Sequence, residues 1–114
     1  MLELSTIAAI IQGEAAILGW DGMYEVARCI AAQMEAGWTP AEIESAWHGR
    51  QQPGGVAVLL ASLIDGGVLV GGPYKYCLSL EDTKALKTRP GDFCVSKEIH
   101  GHVYEIHLYR EWPG

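Results

Sequence analysis

Ile7-Ala8-Ala9-Ile10-Ile11-Gln12-Gly13-Glu14-Ala15-Ala16-Ile17-Leu18 is the stretch on which the fold of this chain turns. At about 100° per residue it makes an amphipathic helix. Ile7, Ile10, Ile11, Ala15 and Leu18 fall on one side, with Glu14 set among them. A carboxylate belongs on the polar face of such a helix. Within the apolar stripe it is paired, at the end of a cleft, or neutral much of the time, because burial disfavours its charged form. A carboxyl that keeps its proton near neutral pH can act as a general acid. The plainer alternative is a glutamate that caps the next turn or bridges to an arginine.

Outward from this helix, Ser5 or Thr6 is its N-cap and Leu18-Gly19 its end. Trp20-Asp21-Gly22 reads as a turn, with Asp21 capping a second helix. Met23, Val26, Ala27, Ile30 and Met34 recur at helical spacing, and Gly37 closes that helix. Two neighbouring apolar stripes predict a hairpin-like pair with Glu14 near the seam. Thr39-Pro40-Ala41-Glu42 is a capping box with Pro at the first helical position, opening a short helix to about His48 that Gly49 stops. Residues 50–55 are polar loop. Residues 56–64 (VAVLLASLI) are apolar almost all round and predict a buried central helix ending at Asp65-Gly66-Gly67.

Gly71-Gly72-Pro73 forces a loop before Tyr74-Lys75-Tyr76-Cys77. Ser79-Leu80-Glu81-Asp82 caps a last short helix reaching about Lys87. Phe93-Cys94-Val95 and residues 102–109 (HVYEIHLY) alternate as strands, an antiparallel pair across a turn at 97–101. The expected architecture is α+β, mainly helical, with a small C-terminal antiparallel β element.

At 114 residues the chain is read as one domain over 1–114. Apolar residues make up 49% and charged residues 19%, which is globular composition. Charges and glycines interrupt every apolar run before membrane-spanning length. The start, Met1-Leu2-Glu3-Leu4-Ser5, has no basic region and is not read as a signal peptide. Eight Lys and Arg against fourteen Asp and Glu leave a net charge of -6, with no basic stripe to track nucleic-acid phosphates.

The sequence carries no P-loop, dinucleotide fingerprint, CxxC or HExxH. Three cysteines give no disulfide framework. Cys29 reads as core, and Cys77 and Cys94 are a possible pair in an oxidising compartment. An activated thiol needs a helix start or a basic neighbour, whereas Cys29 is mid-helix and Cys94 in a strand. His100 and His102 share one face of a strand, with the geometry to chelate a metal. No third ligand is evident, because His107 has the opposite parity, and no metal is assigned. Trp20, Trp38, Trp47, Trp112, Tyr74, Tyr76, Tyr104 and Tyr109 join flat apolar faces to hydrogen-bonding tips, a combination suited to sugar rings in a groove as well as to core packing.

Ile10-Ile11-Gln12-Gly13-Glu14-Ala15, followed by Gly19, Gly22-Met23, Val26-Ala27 and Ile30, resembles the opening of the SleB-like cell wall hydrolases. These are spore-cortex-lytic and related peptidoglycan enzymes with a lysozyme-like fold. Their domain begins with a Glu-Ala pair on the first helix, a glycine turn and a second helix of the form G-x-x-x-V-A-x-V-I. Ile99-His100-Gly101-His102-Val103-Tyr104 resembles that family's I-G-x-H-x-F element. The chain departs from the family at Ala32-Gln33, where Asn-Arg is usual, at His100 in place of Gly, and around Gln51-Gln52-Pro53-Gly54, where the Q-F-S loop is not recognisable.

The resemblance implies a lysozyme-like domain acting on the peptidoglycan glycan strand at the cell wall, without metal or organic cofactor. It makes Glu14 the catalytic acid and puts His102 and Tyr104 along the cleft. Tyr76, Ser79 and Asp82 are the expected further substrate contacts. The reaction it implies is cleavage of the β-1,4 bond between N-acetylmuramic acid and N-acetylglucosamine. Hydrolysis ordinarily uses a second carboxylate, and Asp82 is the candidate. Glu14 alone suffices if the muramic C6 hydroxyl attacks internally, which is lytic transglycosylation. Two alternatives belong to other classes: a non-catalytic module that binds glycan or protein in the same groove, and a small phage or mobile-element protein in which Glu14 is a structural ion-pair partner.

Overall fold

The first helix, α1, spans Leu4–Ala15 and buries Ile7, Ala8, Ile10, Ile11 and Ala15 in a computed structural model that describes residues 2–114. A single 3₁₀ turn, Ala16–Leu18, then leads directly into α2, Gly19–Glu35. The reversal therefore falls at residues 16–19 and not at 20–22, and Asp21 sits inside the first turn of α2 instead of capping it. Two glycines explain the difference. Gly19 takes φ +71° and ψ -159°, a corner that a side chain would strain. A Cβ on Gly22 would lie 2.3 Å from Leu18 Cβ, so this glycine is where α2 folds back onto the turn.

As expected, α2 ends at Gly37: the Gly37 amide donates to Met34 O (3.1 Å) and the Trp38 amide to Gln33 O (3.0 Å), the Schellman pattern. The capping box also forms. Glu42 N–H donates to Thr39 Oγ1 (3.2 Å) and Thr39 N–H to Glu42 Oε1 (2.9 Å), opening α3, Pro40–Ala46. That helix stops short of His48. The Arg50 guanidinium donates to the carbonyls of Glu44 (2.9 Å), Trp47 (2.8 Å) and Gly49 (2.9 Å), which folds the chain back before Gly49 is reached.

Helix α4, Gly55–Asp65, packs on α1 and α2 through Ala57, Leu60, Ala61 and Ile64. Its apolar residues do not all go inside: Val56, Val58 and Leu59 are 40–49% exposed. The expected all-round burial is thus corrected to one stripe, because among the described residues α1 and α2 are the helices that pack against it. Among the described residues no helix is long and apolar enough to cross a membrane.

The sheet is antiparallel and has three strands, β1 Tyr76–Ser79, β2 Phe93–Ile99 and β3 His102–Tyr109, in the order β1-β3-β2. The β2–β3 hairpin closes through His100 and Gly101, both at positive φ (50° and 79°). His100 therefore stands in the turn, so the expected same-face pair with His102 does not form. β1 was not expected as a strand; it exists because β3 offers it an edge, with Tyr76 opposite Tyr109 and Ser79 opposite Ile106. Ser79 Oγ accepts the Asp82 amide (3.1 Å) and starts α5, Leu80–Leu86.

Ile106 and Leu108 carry the sheet onto the helices and complete one continuous core that includes Cys29. Cys77 stands opposite Leu108 and Cys94 opposite His107. Adjacent β3 residues face opposite sides, so the two thiols lie on opposite faces with a strand between them, beyond disulfide reach. Their suggested pairing is corrected, and all three cysteines are free. The fold is α+β, with α1, α2 and α4 packed together and a three-stranded antiparallel sheet joined to their core through Ile106 and Leu108.

Candidate functional site

Glu14 lies at the C-terminal end of α1, half-buried, where the helix meets the loop after α3. Its Oε1 accepts the Gly49 amide at 2.6 Å. The two backbones touch there. A Cβ on Gly13 would lie 2.4 Å from Arg50 N, and one on Gly49 would lie 2.7 Å from Gly13 C. Glycine at both positions lets the loop come close enough for its N–H to reach the carboxylate. Among the described residues the Gly49 amide is the donor to this carboxyl, and it bonds Oε1.

Two depressions meet at this residue. The larger, about 410 Å³, is lined by Glu14, Gln33, Trp38, Trp47, His48, Tyr76, Ser79, Asp82 and Trp112 among others. The smaller, about 140 Å³, is lined by Glu14, Ile17, Ser79, Glu81 and Tyr104 among others. Glu14 and Ser79 line both, so the two depressions adjoin at the carboxylate. The larger end has an aromatic wall. The Tyr76 ring sits 5.6 Å from Trp38 and 5.8 Å from Trp112, tilted or edge-on to each. Its carboxylates are Glu14 and Asp82, and among the described residues neither Lys nor Arg lines it. Such a cleft suits an uncharged, ring-bearing ligand held by stacking and hydrogen bonds.

Cys77 also lines the larger cleft. Burial pushes its thiol well up, helped by Cys29, Glu14 and Asp82, so it serves as apolar lining and not as a nucleophile.

Of the residues singled out in the sequence, Glu14, Tyr76, Ser79 and Asp82 come together in the larger cleft. Tyr104 lies on the other side of Glu14, and His102 is exposed and rests on the Tyr104 ring at 4.5 Å without lining either depression. Among the aromatics, Trp38, Trp47, Tyr76 and Trp112 face the groove. Trp20 stacks on Tyr24 elsewhere, Tyr74 on Phe93, and Tyr109 is fully buried. Sequence reasoning missed Gly49, read there as a helix stop, and Gln33. Gln33 carried the signal that marked Glu14: one polar residue in an apolar run, Ala31-Ala32-Gln33-Met34.

A second cluster lies on the outer face of the hairpin, where donor atoms of Cys94, Glu105 and His107 sit within 4.8 Å of one another. The donor types are those of a zinc site. His107 Nδ1, however, accepts the Gly91 amide at 3.0 Å, so the neutral ring carries its proton on Nε2, the atom that faces Glu105 Oε2 at 2.7 Å. Coordination through Nε2 would then have to displace a proton from that atom. Burial and then the Glu105 charge push the Cys94 thiol up, away from the thiolate that coordinates metal.

Comparison of the chain with protein-family models, with curated proteins and with solved structures finds no match.

Proposed function

We propose that this chain is a lysozyme-like glycosidase that cleaves the β-1,4 bond between N-acetylmuramic acid and N-acetylglucosamine in peptidoglycan. One observation carries the reading: Glu14 stands where two halves of a groove meet, so a strand lying along it has a glycosidic bond beside the carboxyl. The Gly49 amide bonds Oε1, and in this reading Oε2 is the oxygen that meets the ligand. The aromatic wall and the absence of cationic lining suit sugar rings, and the resemblance at residues 10–30 points to the same chemistry.

In the proposed reaction Glu14 protonates the leaving glycosidic oxygen as the C1–O bond breaks. The muramic C6 hydroxyl attacks C1, and its proton returns to Glu14, so the enzyme ends as it began and the product is a 1,6-anhydro sugar. Ser79, which lines both halves of the groove, and Tyr76 and Asp82 contact the strand around the reacting bond, with Tyr104 on the far side. Asp82 in the same cleft favours one second reading, hydrolysis with that carboxylate as base.

Digestion of purified peptidoglycan by wild type and by Glu14→Gln, with products identified by mass spectrometry, tests this. Anhydromuropeptides from wild type alone are the expected result. Reducing ends mean hydrolysis and turn attention to Asp82. Wall binding without products from either protein refutes the enzyme and leaves a glycan-binding module.

A further inference from the structure

Gln33 is 1% exposed at the C-terminal end of a helix face that otherwise buries Val26, Cys29 and Ile30. Burying an amide is costly unless both of its ends are bonded. Here they are, and to two different segments. Oε1 accepts the Trp47 indole N–H at 2.9 Å, across 14 residues of chain. Nε2 donates to the Lys75 carbonyl at 2.8 Å, across 42 residues. Trp47 belongs to the cleft wall made by the end of α3, and Lys75 immediately precedes Tyr76 in the opposite wall. One buried amide therefore ties the two walls together at the floor.

The wall held through Trp47 is the one that reaches Glu14. Two residues past Trp47 comes Gly49, whose amide is on Glu14 Oε1. The intervening chain has little freedom, because the Arg50 guanidinium bonds the Trp47 and Gly49 carbonyls together. The Trp47 backbone is thus tied to the Gly49 peptide.

We infer that Gln33 is a positioning residue for Glu14: through Trp47 it fixes the Gly49 amide on Oε1 and so decides which carboxyl oxygen faces the groove. It neither touches the reacting bond nor carries charge. Only its consequence for cleavage rests on the glycosidase reading; its effect on the Gly49–Glu14 contact does not.

The experiment is a pair of variants, Gln33→Met and the milder Trp47→Phe, each first confirmed folded by its α1 and α4 amide signals. An amide that donates to a carboxylate resonates downfield and follows that carboxylate's ionisation, so the Gly49 ¹H–¹⁵N signal reports the contact directly. Glu14→Gln identifies it by abolishing the pH response. Both variants are expected to lose the downfield Gly49 position and its pH response, while a simple loss of packing would leave them in place. Retention of both in Gln33→Met, with the Trp47 indole signal displaced, overturns the inference.

On peptidoglycan the expected result is a fall in cleavage rate of tenfold or more with wall binding unchanged. Wild-type cleavage with an equally active Gln33→Met would also overturn it. If wild type does not cleave, the glycosidase reading falls alone, and the amide signal still decides the role of Gln33.

Discussion

Replacing Gly13 by alanine should destabilise this protein, against the ordinary expectation for a glycine inside a helix. Intrinsic propensity alone favours alanine there by about 0.8–1 kcal/mol. The structure opposes it with three backbone atoms: the new methyl would lie 2.4 Å from Arg50 N, 2.5 Å from Gly49 C and 2.9 Å from Arg50 Cα. Ordinary contact begins near 3.4 Å, so α1 and the loop must separate by about 1 Å (3.4 - 2.4). Overpacking of this kind costs about 1–3 kcal/mol. The separation also weakens two hydrogen bonds, Gly49 N–H to Glu14 Oε1 and Gln51 N–H to the Ala9 carbonyl, at about 1 kcal/mol in total where water can replace them.

The net expectation for Gly13→Ala is a loss of about 2 kcal/mol. For a domain near this size that lowers Tm by about 8 °C, taking about 4 °C per kcal/mol. Urea and thermal unfolding followed by circular dichroism measure it. Gly55→Ala at the start of α4, where a Cβ meets nothing within 4 Å, is the control and should be neutral or mildly stabilising. A Gly13→Ala protein as stable as wild type, or more so, refutes the backbone contact that brings Gly49 to Glu14.

Other perturbations separate local from long-range causes. Thr39→Ala removes the acceptor for the Glu42 amide and should cost about 1 kcal/mol in urea unfolding, with Thr39→Ser near wild type. Burial, and next the charge of Glu25, push the Cys29 thiol above its ordinary value near 9. Above about pH 9 the unfolded chain releases that proton and the folded one keeps it, so stability should fall as pH rises, by up to about 1.4 kcal/mol per pH unit. Below that range this group contributes no slope. Urea unfolding of wild type and Cys29→Ala between about pH 8 and about pH 11 checks the sign: a slope in wild type that Cys29→Ala does not reduce contradicts it.

Residues that act on near neighbours were readable in part: Ser5 or Thr6 and Asp21, expected as caps, lie inside α1 and α2, whereas three other local signals hold. The Thr39–Glu42 capping box, the Gly37 helix stop and the Ser79 cap each involve side chains and amides a few positions apart, and each forms as expected. What depended on distant chain was opaque. Tyr76-Cys77-Leu78-Ser79 shows no alternation that marks a strand; β3, some thirty residues later, makes it one. Residues 56–64 are apolar on all sides, and how many neighbours were free to cover them is not a property of the segment. In the cleft, Glu14 stood out because a carboxylate interrupted an apolar period. Gly49 could not stand out, because its function lies in its amide and in having no side chain.

The cleft draws its walls from widely separated chain: Glu14 and Gln33 from the helical layer, Trp38 and Trp47 from either end of α3, Tyr76 through Asp82 from the sheet and α5, and Trp112 from the C-terminal tail. The interface of α1, α2 and α4 is made within residues 4–65, whereas β1 pairs with β3 only after the whole remaining chain is present. Local opening of a protein follows such divisions. The cleft therefore exists only while the sheet and α5 lie against the helices. Excursions that release the sheet would dismantle the cleft while the three helices still hold one another, so amide exchange in β1 and α5 measures how often the cleft is absent.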